Sequence, residues 1–326
     1  MSNVLIIGAG GRMGSWFFRY FVYLRDQSGY LSELTKKTNH KKYMKLDKIF
    51  LVDSKRIDYF DTIKDKNVYS SEQVSDFIKE SNIIVFCTPA EITIQLFKQL
   101  IKLIQPSTTI IEVSSIKNQI HKKLRRYYYN NQKDFRFISI HPMFGPGALV
   151  ASPNNIVLHV PVESSNRSHE FRLVKRIFPK FRIIKVDNAA NHDSLVSIMI
   201  SLIYFINLVF SRMLIDTINN YDSKSKKVNL KFLKQVSGSS YKVQSMLSES
   251  ILTDDPSLFS GLFLNSPISI STIRKYGKLY NDLSELLEVT NKKDIENYVS
   301  EVKKEIATQI DLDQSYRKLY KFLNRD

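Results

Sequence analysis

Cysteine is nearly absent: Cys87 stands alone in 326 residues, so no intramolecular disulfide can form, and no Cys/His cluster has zinc-ligand spacing. The expected setting is therefore reducing and cytoplasmic. Glycine (10) and proline (9) are too sparse for a collagen-like repeat, and a 43% hydrophobic content excludes a disordered tail. Acid is the scarcer sign of charge, 32 Asp+Glu against 48 Lys+Arg, which leaves +16. The surplus is spread through nearly every segment, with only short clusters at Lys36-Lys37, Lys122-Lys123 and Arg125-Arg126. No nucleic-acid partner is expected from such a distribution. Long uncharged runs are also few. Ser194 to Phe210 is one, but Ser197, Ser201 and Asn207 interrupt it. It reads as a core helix covered on most sides by protein, not as a bilayer span, and no membrane partner is expected. The opening Met1 to Ile7 lacks a basic n-region and reads as a first strand, not as a signal peptide.

What is present is organised in two parts. Short Ile/Val-rich runs at Val4–Ile7, Lys48–Val52, Ile83–Cys87, Thr109–Val113 and Arg136–Ile140 alternate with helical patterns, the mark of βαβ units and a mostly parallel sheet. Further strands are expected at Asn155–Val160 and Arg182–Val186, separated by the polar stretch Glu163–Glu170 and a helix ending near Phe178-Pro179. Beyond Asp187 the periods become helical. The boundary is placed there, giving domains 1–187 and 188–326. Asp26–Lys45 reads as a long polar connection, and Tyr221–Val228 as a Lys-rich loop between helices.

Directly after the first strand comes Gly8-Ala9-Gly10-Gly11-Arg12-Met13-Gly14, followed by the helical run Ser15–Leu24. A dinucleotide needs such a turn: no side chain where the pyrophosphate approaches, and a helix N-terminus aimed at its charge. Gly8, Gly10, Gly11, Arg12 and Met13 are the candidate cofactor contacts. Asp53, closing the second strand, suits the adenosine ribose and repels a 2′-phosphate, although Lys55 and Arg56 follow it. NAD is favoured, with NADP as the alternative. The implied fold is α/β, an N-terminal Rossmann-like doubly wound sheet followed by an all-helical C-terminal domain.

Ligands of such sheets bind at the carboxyl ends of the strands, so polar residues there carry the most information. Thr88 follows the third of the expected strands and would flank the nicotinamide. His141 directly follows the fifth, ahead of a proline-fixed turn. A neutral imidazole there can accept a hydroxyl proton while hydride leaves the same carbon, or it can be a hydrogen-bonded structural histidine. Ser115 and Asn118 can bond that hydroxyl, or cap the helix that follows.

His141-Pro142-Met143-Phe144-Gly145-Pro146, together with the glycine turn and Ser115-Ile116-Lys117-Asn118, resembles the prephenate/arogenate dehydrogenase family. Weaker similarity continues at Asn191-His192-Asp193, Tyr241-Lys242 and Asp254 to Phe259. The resemblance implies an NAD(P)-dependent oxidative decarboxylation of prephenate to 4-hydroxyphenylpyruvate, on the route to tyrosine. His141 would be the base, Ser115 its hydrogen-bonding partner or that of the hydroxyl, and Asn118 a substrate-orienting residue. A homodimer through the helical domain is implied, and a small dicarboxylate substrate. The family's usual arginine six residues before the Asp-Pro proline is Ser250 here, and its histidine twelve residues after the His-Asp pair is Tyr204. Tyr204 and Lys242 are accordingly taken as substrate contacts, with Arg274 or Arg212 as further sources of charge. The other readings are arogenate or another hydroxy acid as substrate, and a non-catalytic nucleotide sensor.

Overall fold

The computed structural model describes residues 1–34, 44–131, 135–162, 167–220, 229–288 and 291–324. The expected loop at Tyr221–Val228 lies outside them, as do residues 35–43 of the long connection and the first part of the polar stretch at 163. Two compact units result, one of Met1–Ser197 with Ser260–Ser266, the other of Ile198–Phe259 with Pro267–Asp326. The division thus falls ten residues beyond the expected one, after the helix that follows the last strand. Asn265 explains why its short segment groups with the first unit: its side-chain amide donates to Glu91 Oε1 (2.5 Å), and its carbonyl accepts from Gln119 (3.1 Å).

The first unit is a single sheet of eight strands: β1 (Ser2–Ile7), β2 (Leu46–Val52), β3 (Val68–Ser71), β4 (Ile83–Phe86), β5 (Thr109–Glu112), β6 (Arg136–Pro142), β7 (Ile156–His159) and β8 (Arg182–Lys185). Their order is β3-β2-β1-β4-β5-β6-β7-β8. The first six strands follow the 3-2-1-4-5-6 order of dinucleotide-binding sheets. All neighbours are parallel except β6 and β7, which pair antiparallel through Ile140↔His159, His141↔Leu158 and Pro142↔Val157. The seven expected strands are all present. The eighth, β3, was not expected: it is a four-residue edge strand with only Val68 buried, too short and too polar to show a period.

Alternation along the strands builds two apolar layers, because successive side chains leave a strand on opposite faces. Val4, Ile6, Ile49, Leu51, Ile83 and Val85 face one cluster, together with α1 (Arg12–Leu34). Leu5, Ile7, Phe50, Val52, Ile84 and Phe86 face the other, where α2 (Ala90–Leu100) contributes Phe97 and Leu100, and α3 (Asn118–Asn131) contributes Ile120 and Leu124. α4 (Arg167–Ile177) returns to the first face with Val174 and Ile177. The first helix is longer than expected and takes up the start of the supposed polar connection. No proline interrupts it, and polar residues such as Asp26 and Gln27 only thin its apolar stripe without ending it.

Trp16 fastens this helix to the loop after β6. It is fully buried, stacks on Tyr20 (5.3 Å) and packs against Phe144 (4.7 Å). Its indole N–H donates to the Ala148 carbonyl at 2.8 Å. Arg19, one turn on, donates to the Pro146 carbonyl at 2.9 Å.

A helical stretch then runs through α5 (Ala189–Val196), a π segment at Ser197–Leu202 and α6 (Ile203–Asn220). The second unit continues from α6 with α7 (Leu230–Val236), α8 (Ser239–Ile251), α9 (Pro256–Leu264, shared with the first unit), α10 (Pro267–Glu288), α11 (Lys292–Ala307) and α12 (Leu312–Leu323). Its described residues hold no strand. Asn207, buried on α6, ties that helix to α8: its side-chain oxygen accepts from Gln244 (2.8 Å) and Ser248 (2.7 Å). The expectation of a core helix covered by protein is corrected here. Residues 189–220 are long and apolar enough to cross a membrane, and only 28% of their most apolar window is buried. Ile203, Leu208, Val209, Met213 and Ile215 are exposed on α6. The sequence pattern shows that such a helix must be covered, but not that the cover comes from the same chain.

Trp16→Phe keeps the ring packing but deletes the bond to Ala148. It is expected to lower stability by about 1–2 kcal/mol, read from the shift of a urea unfolding curve.

Candidate functional site

The glycine turn is shaped by contacts that exclude side chains. Gly8 has φ +84°, and a Cβ there would lie 2.8 Å from the Cys87 carbonyl oxygen. A Cβ on Gly14 would lie 2.1 Å from the Gly8 carbonyl oxygen, so the first turn of α1 can sit against the end of β1 only if residue 14 is glycine. The N–H groups of Gly8 and Ala9 both donate to the Val52 carbonyl (2.8 and 3.1 Å), locking the turn to β2. Gly10 N–H donates to Asp53 Oδ2 at 2.9 Å, and Lys55 N–H to Asp53 Oδ1 at 3.2 Å. Asp53 therefore stands at the mouth of the turn with both oxygens oriented. Gly11 closes the loop onto the Gly8 carbonyl (3.2 Å). Arg12 is exposed at the helix start, and Met13 packs against the first apolar layer. Thr88, just past β4, has its methyl 3.0 Å from where a Cβ on Gly8 would be, and its hydroxyl bonds Thr93 at 2.8 Å.

Six of the expected cofactor residues thus surround one turn at the carboxyl ends of β1, β2 and β4, and Met13 lies in the layer beneath. Tyr59, missed in the sequence, completes it. Its ring stacks on Phe18 at 5.6 Å, and its hydroxyl donates to the Ala9 carbonyl at 2.7 Å. Burial, with the nearby Cys87 and Asp53, pushes this phenol well above its ordinary range, so it stays a donor. Burial likewise keeps the Cys87 thiol protonated.

A second constellation occupies the carboxyl ends of β5 and β6. His141 is 5% exposed, and its Nδ1 lies 2.9 Å from Nε2 of His192, at the start of α5. His192 Nδ1 lies 2.9 Å from Asp193 Oδ1. The carboxylate of Asp193 also accepts the backbone N–H groups of Lys117 (2.8 Å) and Asn118 (2.9 Å), capping α3. Burial holds His141 well below the ordinary imidazole range, reinforced by His192 and the Lys117 ammonium. Burial lowers His192 as well, partly offset by its bond to Asp193. Both rings are therefore neutral at pH 7. Among the described residues, the sealed and unpartnered ring nitrogens belong to His121 and His159, so Nε2 of His141 is not shut off from a ligand.

Beneath the histidine lies a buried ion pair. Lys117 and Glu112 are both fully buried, with Nζ 2.6 Å from Glu112 Oε1 and 2.7 Å from the carbonyl of Ile140, the residue before His141. Ser114 Oγ (2.5 Å) and Ser139 Oγ donate to the two oxygens of Glu112, and His121 Nε2 bonds Ser139 at 2.7 Å. Burial opposes ionisation of Glu112, but the Lys117 and His121 contacts outweigh it and keep the carboxyl well below its ordinary range. Burial lowers the Lys117 ammonium, with Glu112 resisting. Ser115 is half-buried in the loop just beyond, and the Asn118 side chain is exposed at the start of α3.

Tyr204 and Lys242 belong to the second unit. The Tyr204 hydroxyl donates to Asp254 Oδ2 at 2.6 Å, and its ring packs on Phe259 at 5.3 Å. Lys242 lines a cavity of about 530 Å³ with Lys234, Ser245, Met246 and Tyr320. Ser250 is exposed near the end of α8. Arg212 pairs with Asp216 at 3.0 Å, and Arg274 is exposed on α10.

The order of the sheet and the glycine turn define a dinucleotide-binding α/β protein carrying a helical second unit. Residues 38–179 match the family model "Prephenate dehydrogenase, nucleotide-binding domain". The whole chain is similar in fold to prephenate dehydrogenase of Aquifex aeolicus, solved with hydroxyphenyl propionate and NAD+, at 19% identity and TM-score 0.66 over 94% of this chain and 98% of that one. It is similar to Synechocystis arogenate dehydrogenase at 14% identity and TM-score 0.59, over 94% of this chain and 100% of that one. A Corynebacterium glutamicum protein described as a prephenate dehydrogenase gives 14% identity and TM-score 0.63, over 94% and 89%. No curated protein sequence matches.

Removing Lys117 alone strands a buried carboxylate. Lys117→Met is expected to destabilise the fold by about 3–5 kcal/mol, and Glu112→Gln added to it to restore part of the loss, measured by denaturant titration.

Proposed function

We propose that the protein is an oxidoreductase that takes a hydride from ring C4 of prephenate and releases carbon dioxide, with His141 as the base. The observation that carries this reading is a neutral, nearly buried histidine with one open nitrogen, on the same sheet edge as the glycine cradle. The turn fits a dinucleotide: Gly8 and Gly14 leave room where a Cβ would collide, the N-terminus of α1 faces outward, and Asp53 is oriented for a ribose hydroxyl. NAD bound there supplies the hydride acceptor. Asp53 repels a 2′-phosphate, which favours NAD over NADP.

The residues of the chain do the rest. His141 Nε2 accepts the C4 hydroxyl proton as the C–H bond breaks, so the oxygen becomes a carbonyl. Loss of the ring carboxylate as carbon dioxide then makes the ring aromatic, and the proton returns from His141 to the phenolate. Ser115 bonds the hydroxyl or the imidazole and keeps them aligned, and Asn118 orients the substrate at the head of α3. Lys242 serves a substrate carboxylate, supplying the charge that Ser250 does not, and Tyr204 joins it by turning its one hydroxyl proton from Asp254 to the substrate. The exposed apolar residues of α6 are covered by a second copy of the chain, giving a homodimer through the helical unit. Light scattering on the purified protein is expected to read twice the monomer mass; a monomer at micromolar concentration refutes this.

Assays with prephenate and with arogenate, each with NAD and NADP, test the reading directly. Turnover is expected to be greatest with prephenate and NAD, and failure of all four pairs would favour a nucleotide-binding sensor. His141→Asn is expected to keep NAD affinity and lower kcat by at least about 100-fold, the scale of a lost general base. Lys242→Ala is expected to raise the KM for prephenate and leave kcat close to normal. Because burial depresses His141, kcat/KM for prephenate is expected to stay flat from pH 8 down through 6.5. An acid limb centred on the ordinary imidazole value would contradict a neutral buried base.

A further inference from the structure

We infer that His192 and Asp193 form a two-step relay that fixes the tautomer of His141, holding the proton on Nδ1 so that Nε2 is the bare, reactive nitrogen. Asp193 sets the pattern. Both of its oxygens accept backbone N–H groups, from Lys117 and Asn118, so it stands as an acceptor-only carboxylate. The ring nitrogen 2.9 Å from its Oδ1 must then be the donor, which puts the proton of His192 on Nδ1. A neutral imidazole carries one proton, so His192 Nε2 is a lone pair. That lone pair lies 2.9 Å from His141 Nδ1 and accepts its N–H. His141 is left with Nε2 unprotonated, whichever substrate it meets. Reversing any one link would set two donors, or two lone pairs, face to face in a buried site.

The relay has a second effect. When Nε2 takes up a proton, the new charge on His141 is shared along the N–H bond to His192, whose far side rests on a carboxylate. A positive charge that burial would otherwise penalise is thereby compensated without any other group moving. His192 and Asp193 touch neither hydroxyl nor ring in this scheme, so they are positioning residues. Lys117 contributes to both halves: its backbone N–H helps to make Asp193 an acceptor, and its ammonium holds the Ile140 carbonyl next to His141. The proposal deepens the reading of His141 as the base, but its central claim is a protonation pattern that exists without substrate.

The test is histidine-selective 15N NMR of the full chain at pH 8, with the His141 ring assigned by comparison with His141→Asn. Wild type is expected to show a protonated Nδ1 and a bare Nε2 in both His141 and His192. Asp193→Ala is expected to leave His141 as a mixture of the two tautomers, because no acceptor then holds the His192 proton on Nδ1. In turnover, His192→Ala is expected to lose about 10- to 100-fold in kcat, with KM and NAD affinity within about twofold. His192→Gln, whose amide oxygen can still accept the Nδ1–H, is expected to recover most of that loss. If Asp193→Ala does not fold, since Asp193 also caps α3, the two His192 variants still decide the matter. A protonated Nε2 on wild-type His141 overturns the relay, as does full activity of His192→Ala. If His141→Asn is itself fully active, the base assignment falls while the NMR pattern still judges the relay.

Discussion

A single desolvated ammonium organises the functional edge of the sheet. Of the 48 Lys and Arg side chains, Lys117 is the one that is buried among the described residues. Its charge cannot be left uncompensated there, and the three groups around it each do structural work. Glu112 at the end of β5 neutralises it, the Ile140 carbonyl on β6 takes a second N–H, and its own backbone N–H goes to Asp193 on α5. Strand β5, strand β6 and helix α5 are therefore joined at one residue. His141, one position beyond Ile140 and in contact with α5 through His192, inherits a fixed place from that junction.

The surplus of positive charge takes on a different meaning in this light. Nearly all of it is surface, where an isolated ion pair is worth little. The single buried cation has far greater structural weight than its share of the count. The acids tell the same story from the other side: Glu112, Glu170 and Asp193 are buried, and each is held by a basic ring, an ammonium or backbone N–H groups.

Much of the architecture was legible because it rests on local rules. Val4 to Ile7 and Ile49 to Val52 alternate between two apolar layers, and the glycine spacing follows from collisions that a Cβ would make at positions 8 and 14. His141 was legible as a polar residue at the end of a buried strand. Other features depend on distance in space. His192 lies 51 residues from His141, and its pairing with that ring cannot be read from either neighbourhood alone. Tyr59 looks like any loop aromatic until its hydroxyl is seen on the Ala9 carbonyl. β3 escaped because an edge strand of four residues buries almost nothing. The exposure of α6 escaped because hydrophobic periodicity reports how much surface needs cover and is silent on what supplies it.

The contact between Gly10 and Asp53 ties two properties that are usually treated as separable. The carboxylate that would choose between ribose and phosphorylated ribose is also an acceptor for the backbone of the cradle. A change at residue 53 that welcomed a 2′-phosphate would at the same moment release an N–H of the turn proposed to hold the pyrophosphate. If Asp53 sets the cofactor as proposed, its preference would not drift by single substitutions at that position without a cost in affinity. An evolutionary path to the other cofactor would have to pass through Lys55, Arg56 or a second change in the turn.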